Sequence, residues 1–166
     1  RASEQRGDKG SKKAAEEIYK RLAMSGEDYH NLLAKDRIGQ RYNASAPQEQ
    51  PSVSDQTRLN QDIHFRRAFA LRNIDAPAVY TTREWNWAVR QAYLKHDDGL
   101  LLAAAKRASD MGWYDRAIYA ADRTEKKHNY TYRYATPHQA TVVSHSRNVG
   151  IDPAWAYGLM RQESRF

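Results

Sequence analysis

The C-terminal stretch of the chain carries a carboxylate, Glu163, within an amphipathic pattern. Asp152 is a residue type favoured at the N-cap, and Pro153 suits the first helical position, so the pattern predicts a helix that starts there. Ala156, Met160 and Glu163 fall at i, i+4 and i+7, on the side expected to face the core. A carboxyl group held against an apolar surface keeps its proton to higher pH. A protonated carboxyl near neutral pH is the general acid that glycosidic bond cleavage requires.

A simpler interpretation competes with this one. Glutamate in the last turn of a helix is most often solvated, and an apolar stripe is most often ordinary core. The residue types and spacing alone therefore favour a solvated Glu163, and the catalytic interpretation depends on a wider match.

The run Tyr-Gly-Leu-Met-Arg-Gln-Glu-Ser-Arg-Phe at 157–166 resembles the first catalytic motif of the soluble lytic transglycosylase family. In that family an apolar helix ends in Arg-Gln-Glu-Ser, and the glutamate is the sole catalytic acid/base. The resemblance therefore implies that Glu163 is catalytic and makes Gln162 and Ser164 candidates for substrate binding. For Ser164, a local hydrogen bond that positions the helix end is favoured over a nucleophilic role. One of Arg161 and Gln162 is expected at the groove rim or in packing, and the other in solvent.

Two upstream stretches extend the resemblance over most of the chain. The run Trp-Tyr-Asp-Arg-Ala-Ile-Tyr-Ala-Ala-Asp-Arg-Thr at 113–124, followed by Arg133-Tyr134 and Pro137, resembles the end of the family's helical linker domain and the start of its lysozyme-like domain. The run Asp-Tyr-His-Asn-Leu-Leu-Ala-Lys-Asp-Arg-Ile-Gly at 28–39 resembles a helix at the end of the family's large helical ring.

The expected fold is therefore all-α and has three parts. Residues 1–47 are predicted to be the end of a superhelical, helical-repeat domain, and 48–130 a small helical linker domain. Residues 131–166 are predicted to be the first helices of a lysozyme-like catalytic domain. In the family a long remainder of that domain follows the motif glutamate, so the resemblance implies a piece of a larger enzyme that is inactive alone.

The resemblance also implies a mechanism that needs no cofactor. Glu163 protonates the glycosidic oxygen between N-acetylmuramic acid and N-acetylglucosamine, and the substrate's acetamido group stabilises the developing cation. The Glu163 carboxylate then takes the proton of the muramyl C6 hydroxyl, which closes on C1 and leaves a 1,6-anhydromuramyl end. The implied partners are peptidoglycan glycan strands, the remainder of the catalytic domain and other cell-wall enzymes. The implied location is the periplasm of a Gram-negative bacterium, with outer-membrane association left open.

Composition restricts the function classes. The chain has 166 residues, 40% hydrophobic and 28% charged, a balance typical of one or two small globular domains. It contains no cysteine, which excludes disulfides and thiolate metal sites, and no run of about 18 apolar residues that would predict a membrane span. The chain opens without the apolar region of a signal peptide, so such a peptide is expected to be removed or to lie upstream.

The net charge of +7 fits nucleic acid, an anionic membrane surface or a polyanion such as peptidoglycan. Most basic pairs stand beside acidic residues on predicted helices, and no recognition-helix motif is present. This pattern favours solvated helix faces with a mild attraction to a polyanion, and no nucleic-acid partner is predicted.

The histidines and tryptophans give weaker indications of a functional site. His138 and His145 lie on different helical faces without acidic residues at ligand spacing, so no metal site is predicted. Trp85, Trp113 and Trp155 are predicted as core anchors. Trp87 and the tyrosines of 130–134 are the better candidates for stacking on sugars, although surface packing is favoured for both. The alternative function is a non-catalytic helical-repeat binding or scaffold module, and a weaker third is nucleic-acid binding.

The periodic pattern predicts helices that would position these residues. Residues 1–11 are expected to be a loop that ends at an N-cap, Ser11. Residues 43–56 are expected to be a linker unable to bury surface, and 125–135 an extended connector. The predicted helices before the Glu163 helix span about 12–23, 28–41, 55–71, 77–95, 100–111, 113–124 and 136–147.

Overall fold

A computed structural model describes residue 5 and residues 8–25, 29–40 and 48–164 of the chain. Throughout these residues the secondary structure is helical and contains no strand, so the predicted all-α fold is confirmed.

The chain divides into two compact units, residues 1–46 and 47–166. The finer division into a superhelical end, a linker domain and the start of a lysozyme-like domain stays a prediction.

The first unit contains a helical hairpin of α1 (Lys9–Met24) and α2 (Tyr29–Arg37). Asp8 caps α1, because its carboxylate accepts a hydrogen bond of 2.9 Å from the backbone N–H of Ser11. The predicted cap at Ser11 was therefore wrong, since an equally good capping residue stands three positions earlier. The connection between the two helices, residues 26–28, lies outside the described residues.

Small and polar residues join the two helices of this hairpin. Ala15 and Ala23 of α1 and Ala34 of α2 are buried. The Asn31 side chain donates 2.7 Å to the backbone carbonyl of Leu22. Leu22 is 36% and Ile18 42% exposed, so the close contact uses alanine rather than the larger side chains.

The second unit is a helical module followed by a C-terminal hairpin. Its helices are α3 (Val53–Gln61), α4 (Ile63–Asn73), α5 (Ala78–Leu94), α6 (Asp98–Asp110), α7 (Tyr114–Ala121), α8 (Tyr130–Arg133), α9 (Gln139–Asn148) and α10 (Pro153–Glu163). We refer to α3–α8 as the module and to α9–α10 as the C-terminal hairpin.

The core of the module surrounds α6 and one tryptophan of α5. Residues 100–105 of α6 are all buried, as its alanine-rich sequence allows close helix packing. Trp85 is fully buried, and its ring lies 5.5 Å from Phe65, 5.6 Å from Phe69 and 5.1 Å from Trp113. Trp85 is therefore a core residue, as predicted, while Trp113 is partly buried and packs against the core.

The helix predicted over 55–71 is two helices, α3 and α4. Asp62 separates them in an extended conformation, with φ −66° and ψ 123°. Its carboxylate accepts 2.9 Å from the N–H of His64 and 3.0 Å from that of Phe65. The apolar periodicity continues through this break, but the capping bonds of Asp62 favour a new helix start.

Part of the predicted linker is instead ordered against the module. Residues 41–47 lie outside the described residues, but 48–50 are bound to the segment around α8. The Glu49 N–H donates 3.0 Å to the His128 carbonyl, and the Tyr132 hydroxyl donates 2.8 Å to Gln50 Oε1. The linker prediction was wrong for these residues, because polar backbone and side-chain groups supply the contacts that apolar burial could not.

The predicted extended connector contains helix α8 and a tight turn. The buried Asp98 carboxylate accepts backbone N–H bonds of 3.0, 2.7 and 2.9 Å from Glu125, Lys126 and Lys127. Asn129 then caps α8 through a 3.3 Å bond to the Tyr132 N–H. The connector prediction was wrong because hydrogen bonds to Asp98, which is distant in sequence, fold the segment back. Local periodicity does not predict such bonds.

No helix in the described part of the chain combines the length and apolar character that crossing a membrane requires.

Candidate functional site

Helix α10, which carries Glu163, begins and ends much as its sequence indicates. Asp152 Oδ1 accepts 2.8 Å from the N–H of Ala154, and Pro153 occupies the first turn. At the other end the Ser164 hydroxyl donates 3.2 Å to the Met160 carbonyl. Ser164 thus makes a local bond at the helix end, of the kind the sequence favoured over a nucleophilic role.

One side of α10 is docked through polar side chains. The Tyr157 hydroxyl donates 2.8 Å to the carbonyl of Pro137, just before α9. Arg161, one turn further along, reaches the end of the module. Because Tyr157 and Arg161 are spaced i and i+4, they define a single docked side of the helix.

Arg161 makes the strongest of these contacts, which we call the Arg161 clamp. Its Nη2 lies 3.0 Å and 3.1 Å from the two carboxylate oxygens of Asp122, directly after α7. Its Nη1 donates to the carbonyl of Arg133 at the end of α8. The guanidinium also lies 5.1 Å from the centre of the Tyr134 ring. A planar guanidinium can make all these contacts at once, which an ammonium cannot.

Arg133 connects the clamp to the module core. Its Nη2 donates 3.0 Å to the carbonyl of Ala121 and 3.3 Å to that of Thr124. Its Nε lies 3.7 Å from Asp122 Oδ1. Asp122 therefore interacts with both arginines, and the orientation of α10 is linked to the buried end of α7.

The opposite side of α10 is uncovered and carries the candidate catalytic group. Trp155, Leu159 and Glu163 follow at i, i+4 and i+8 and so share one face of the helix. Trp155 is 62% and Leu159 49% exposed, Glu163 is exposed, and no residue of α10 is buried. We call these three residues the Trp155–Glu163 face.

The predictions for this face have different outcomes. The spacing placed Glu163 on or at the edge of the stripe with Ala156 and Met160; those two are half-buried, while Glu163 is exposed, as the residue types alone favoured. Trp155 was predicted as a core anchor, and this was wrong, since it is exposed. The reason is that Tyr157 and Arg161 make the docking contacts, so the side of α10 opposite them faces solvent.

The other predicted site residues are dispersed. Gln162 is exposed beside Glu163, and no bond from its side chain to a described residue is present. His138 and His145 are exposed, and the described residues contain no cluster able to hold a metal ion. Of the three alternating tyrosines, Tyr132 is buried, which removes it as a sugar platform.

The chemistry of the site follows from the uncovered face. A carboxyl group acts as a general acid in its protonated form, which contact with an apolar surface favours. An apolar surface laid over Trp155 and Leu159 would remove water from Glu163 as well, since the three share one face. The arrangement thus places a carboxylate at the end of a docked helix. The surface that covers the Trp155–Glu163 face would determine the environment of this carboxylate.

Sequence reasoning missed the residues that hold α10, namely Asp122, Arg133 and Tyr157. A signal was present only for Arg161, a cation in the last turn of a helix, and that position is commonly solvated. The partners lie 28 and 39 positions away, so only the tertiary structure identifies them.

No known family model matches the sequence, and no curated protein matches it significantly. The structure is similar to the crystal structure of an inactive mutant of the lytic transglycosylase Slt from Pseudomonas aeruginosa, with a TM-score of 0.75 and 27% sequence identity. The likeness covers 98% of this chain and 25% of the transglycosylase. The chain is therefore similar over nearly all its length to about a quarter of a lytic transglycosylase, in agreement with the family resemblance of its motifs.

Proposed function

We propose that this chain contributes the catalytic acid/base, Glu163, to a lytic transglycosylase that cleaves peptidoglycan. The observation that carries the proposal is the structural likeness across 98% of the chain. It is joined by the Arg-Gln-Glu-Ser motif at the end of α10, on a face that is apolar and uncovered. Activity of the whole protein is part of this proposal, because the chain spans only a quarter of its structural neighbour.

The reaction uses one carboxyl group twice. Protonated Glu163 donates to the oxygen between N-acetylmuramic acid and N-acetylglucosamine as the C1–oxygen bond breaks. The Glu163 carboxylate then accepts the proton of the muramyl C6 hydroxyl, whose oxygen bonds to C1. The proton lost in the first step is regained in the second, and the product is a 1,6-anhydromuramyl end formed without water.

The first step requires a protonated Glu163, a form that an environment excluding water favours for any carboxyl group. We infer that further polypeptide of the same protein covers Trp155 and Leu159 in the active enzyme and excludes water from Glu163. The Arg161 clamp would hold the carboxylate in place as that surface forms. Gln162 and Ser164 are proposed to contribute to binding at the rim of the groove.

The proposals on partners and location follow from the proposed substrate class. Peptidoglycan glycan strands are the primary partner, and other cell-wall enzymes are further candidate partners. The proposed location is the periplasm of a Gram-negative bacterium. Subcellular fractionation tests whether the protein is attached to the outer membrane. The net charge of +7 is compatible with an anionic cell-wall polymer.

The test is digestion of purified peptidoglycan sacculi by the whole protein and its Glu163→Gln variant, with products identified by mass spectrometry. We expect anhydromuropeptides from the parent and a reduction of about 10²–10⁴-fold or more in the variant. Glu17→Gln is the matched control, because Glu17 is an exposed glutamate on α1, and it should retain parental activity.

Two results would contradict the proposal. Equal anhydromuropeptide yields from parent and variant would exclude Glu163 as the acid/base. Products that end in reducing muramic acid would indicate hydrolysis instead. Binding of sacculi without any cleavage would favour the alternative, a non-catalytic helical binding or scaffold module, for which the solvated state of Glu163 is the supporting observation.

A further inference from the structure

Helix α5 presents an exposed aromatic and cationic surface on the side away from the core. Its inner side is anchored by Trp85 and Val89, both fully buried, so the helix is a rigid support. Outward, Tyr80 is 56% and Trp87 50% exposed. These two lie seven residues apart, and positions at that spacing share one face of a helix.

Two exposed arginines flank the indole on one side. Arg83 and Arg90 stand four residues before and three residues after Trp87, which places both on the same side of it at about 100° per residue. Neither pairs with an acidic group among the described residues. Both guanidinium groups are therefore available to an external anion.

A carboxylate borders the other side of the indole. Glu84 accepts a 2.8 Å hydrogen bond from His64 Nδ1, and its Oε1 also lies 4.0 Å from Arg67 Nη1. The His64 ring lies 6.2 Å from Trp87, inclined at 67°. An inclined ring covers less of the indole than a stacked ring, so much of its surface stays open. We call Tyr80, Arg83, Glu84, Trp87 and Arg90 the Trp87 face.

We propose that the Trp87 face binds an anionic glycan strand at a position separate from Glu163. The open indole fits the apolar side of a sugar ring, while Arg83 and Arg90 fit carboxylates carried along one edge of the strand. Glu84 is an acceptor for sugar hydroxyls at the other edge. The glycan class rests on the proposed function, but the site does not depend on catalysis by Glu163.

Charge arrangement distinguishes this ligand from single-stranded nucleic acid, which also binds to aromatic and basic surfaces. A phosphate backbone is charged at every nucleotide, whereas the two arginines of this face, Arg83 and Arg90, lie on one side of the indole only. A glycan strand with peptide stems has carboxylates on its stems and neutral hydroxyls on its sugars, which matches arginines on one side and a carboxylate on the other.

The experiment measures binding of soluble peptidoglycan chains with peptide stems to the whole protein by calorimetry. It uses the Glu163→Gln background, so that the probe is not cleaved. We expect Trp87→Ala to weaken binding by roughly tenfold, the scale of a lost stacking contact. The Arg83→Ala/Arg90→Ala double variant should weaken binding and reduce its salt dependence.

Matched controls lie on the same helices. Tyr93→Ala removes an exposed aromatic of α5 that lies about 120° away from Trp87 around the helix. Arg66→Ala removes an exposed arginine of α4, two residues from His64 and so on the other side of that helix. Both should bind the glycan as the parent does, and melting curves check that every variant is folded.

Three outcomes would overturn the proposal. These are parental binding by the Trp87 and arginine variants, equal affinity for an uncharged N-acetylglucosamine oligomer, and tighter binding of a single-stranded oligonucleotide through the same residues. Failure of the proposed function is scored separately, by the absence of anhydromuropeptides in sacculus digestion, and leaves this binding result unaffected.

Discussion

The module and the C-terminal hairpin belong to the same compact unit but are stabilised differently. The module buries Trp85, Phe65 and residues 98–105 of α6. Helix α10 buries no residue and is held by the hydroxyl of Tyr157 and the Arg161 clamp. The module is stabilised mainly by apolar burial, and α10 is oriented mainly by hydrogen bonds and charge.

This difference concerns the presence of a buried core. The module has one and also exposes aromatic residues such as Trp87, whereas α10 buries no residue and keeps Trp155 and Leu159 in solvent. A second surface can cover the apolar side of a helix that is docked through polar contacts on its other side. In the proposed enzyme, such a surface would lie next to Glu163.

The largest contrast is expected from removing one tryptophan in each region. Trp85→Ala should lower the free energy of unfolding by about 3–5 kcal/mol, because it empties a buried ring site. Trp155→Ala should change it by less than about 0.5 kcal/mol, since the side chain lies in solvent. Urea denaturation measures both, and equal losses would contradict the division into two regions.

Acid sensitivity is expected in the module through Asp98. Burial disfavours its charge, but N–H donors of Glu125, Lys127 and Lys126 outweigh burial and lower the pKa of Asp98 below 3.8. The carboxylate therefore stabilises the fold above that range, and this contribution is lost as pH falls through the lowered pKa. Asp98→Asn should cost about 1.5–3 kcal/mol at pH 7.

The pH dependence provides the check on Asp98. Urea midpoints of parent and Asp98→Asn should differ at pH 7 and converge at acidic pH below the lowered pKa. Asp110→Asn, at a half-exposed ion pair with Lys106, is the control and should show a small difference throughout. A constant gap for Asp98→Asn would show that its effect is not ionisation.

One substitution should have opposite signs in the two regions. A Cβ at Gly99 of α6 would lie 2.5 Å from Asp55 Oδ1, so Gly99→Ala should destabilise the module by about 1–3 kcal/mol. A Cβ at Gly158 of α10 would meet nothing within 4 Å, so Gly158→Ala should stabilise that helix by about 0.5–1 kcal/mol. Thermal melting and helix-specific hydrogen exchange measure the two effects, and a common sign would refute the contrast.

The most local expected effect is at the clamp. Arg161→Ala should reduce the opening free energy of α10 by about 1–2 kcal/mol, between the values for exposed and buried ion pairs, with little change in the module. Hydrogen exchange of α9 and α10 amides is the measurement. Arg147→Ala, an exposed arginine on α9, is the control, and unchanged exchange in Arg161→Ala would refute the clamp.

Local periodicity and capping residues predicted most of the helices, including the start of α10 at Asp152 and Pro153. Periodicity failed where a carboxylate competed with it: Asp62 ended a helix that the apolar pattern continued, and Asp98 folded a segment that looked extended. Side-chain bonds between distant positions leave no periodic trace in the sequence, and this is why these segments were mispredicted.

The sequence by itself determined the all-α fold, the burial of Trp85 and the position of Glu163 at the end of a helix, because each depends on residue types and short-range spacing. The tertiary structure decided which side of that helix is covered. Trp155 and Tyr157 are both amphipathic aromatics, and only the positions of the Pro137 carbonyl for Tyr157, and of Asp122 and Arg133 for Arg161, select the side of α10 that is docked. Glu163 faces solvent for that reason, since a helix docked through one side must present the other.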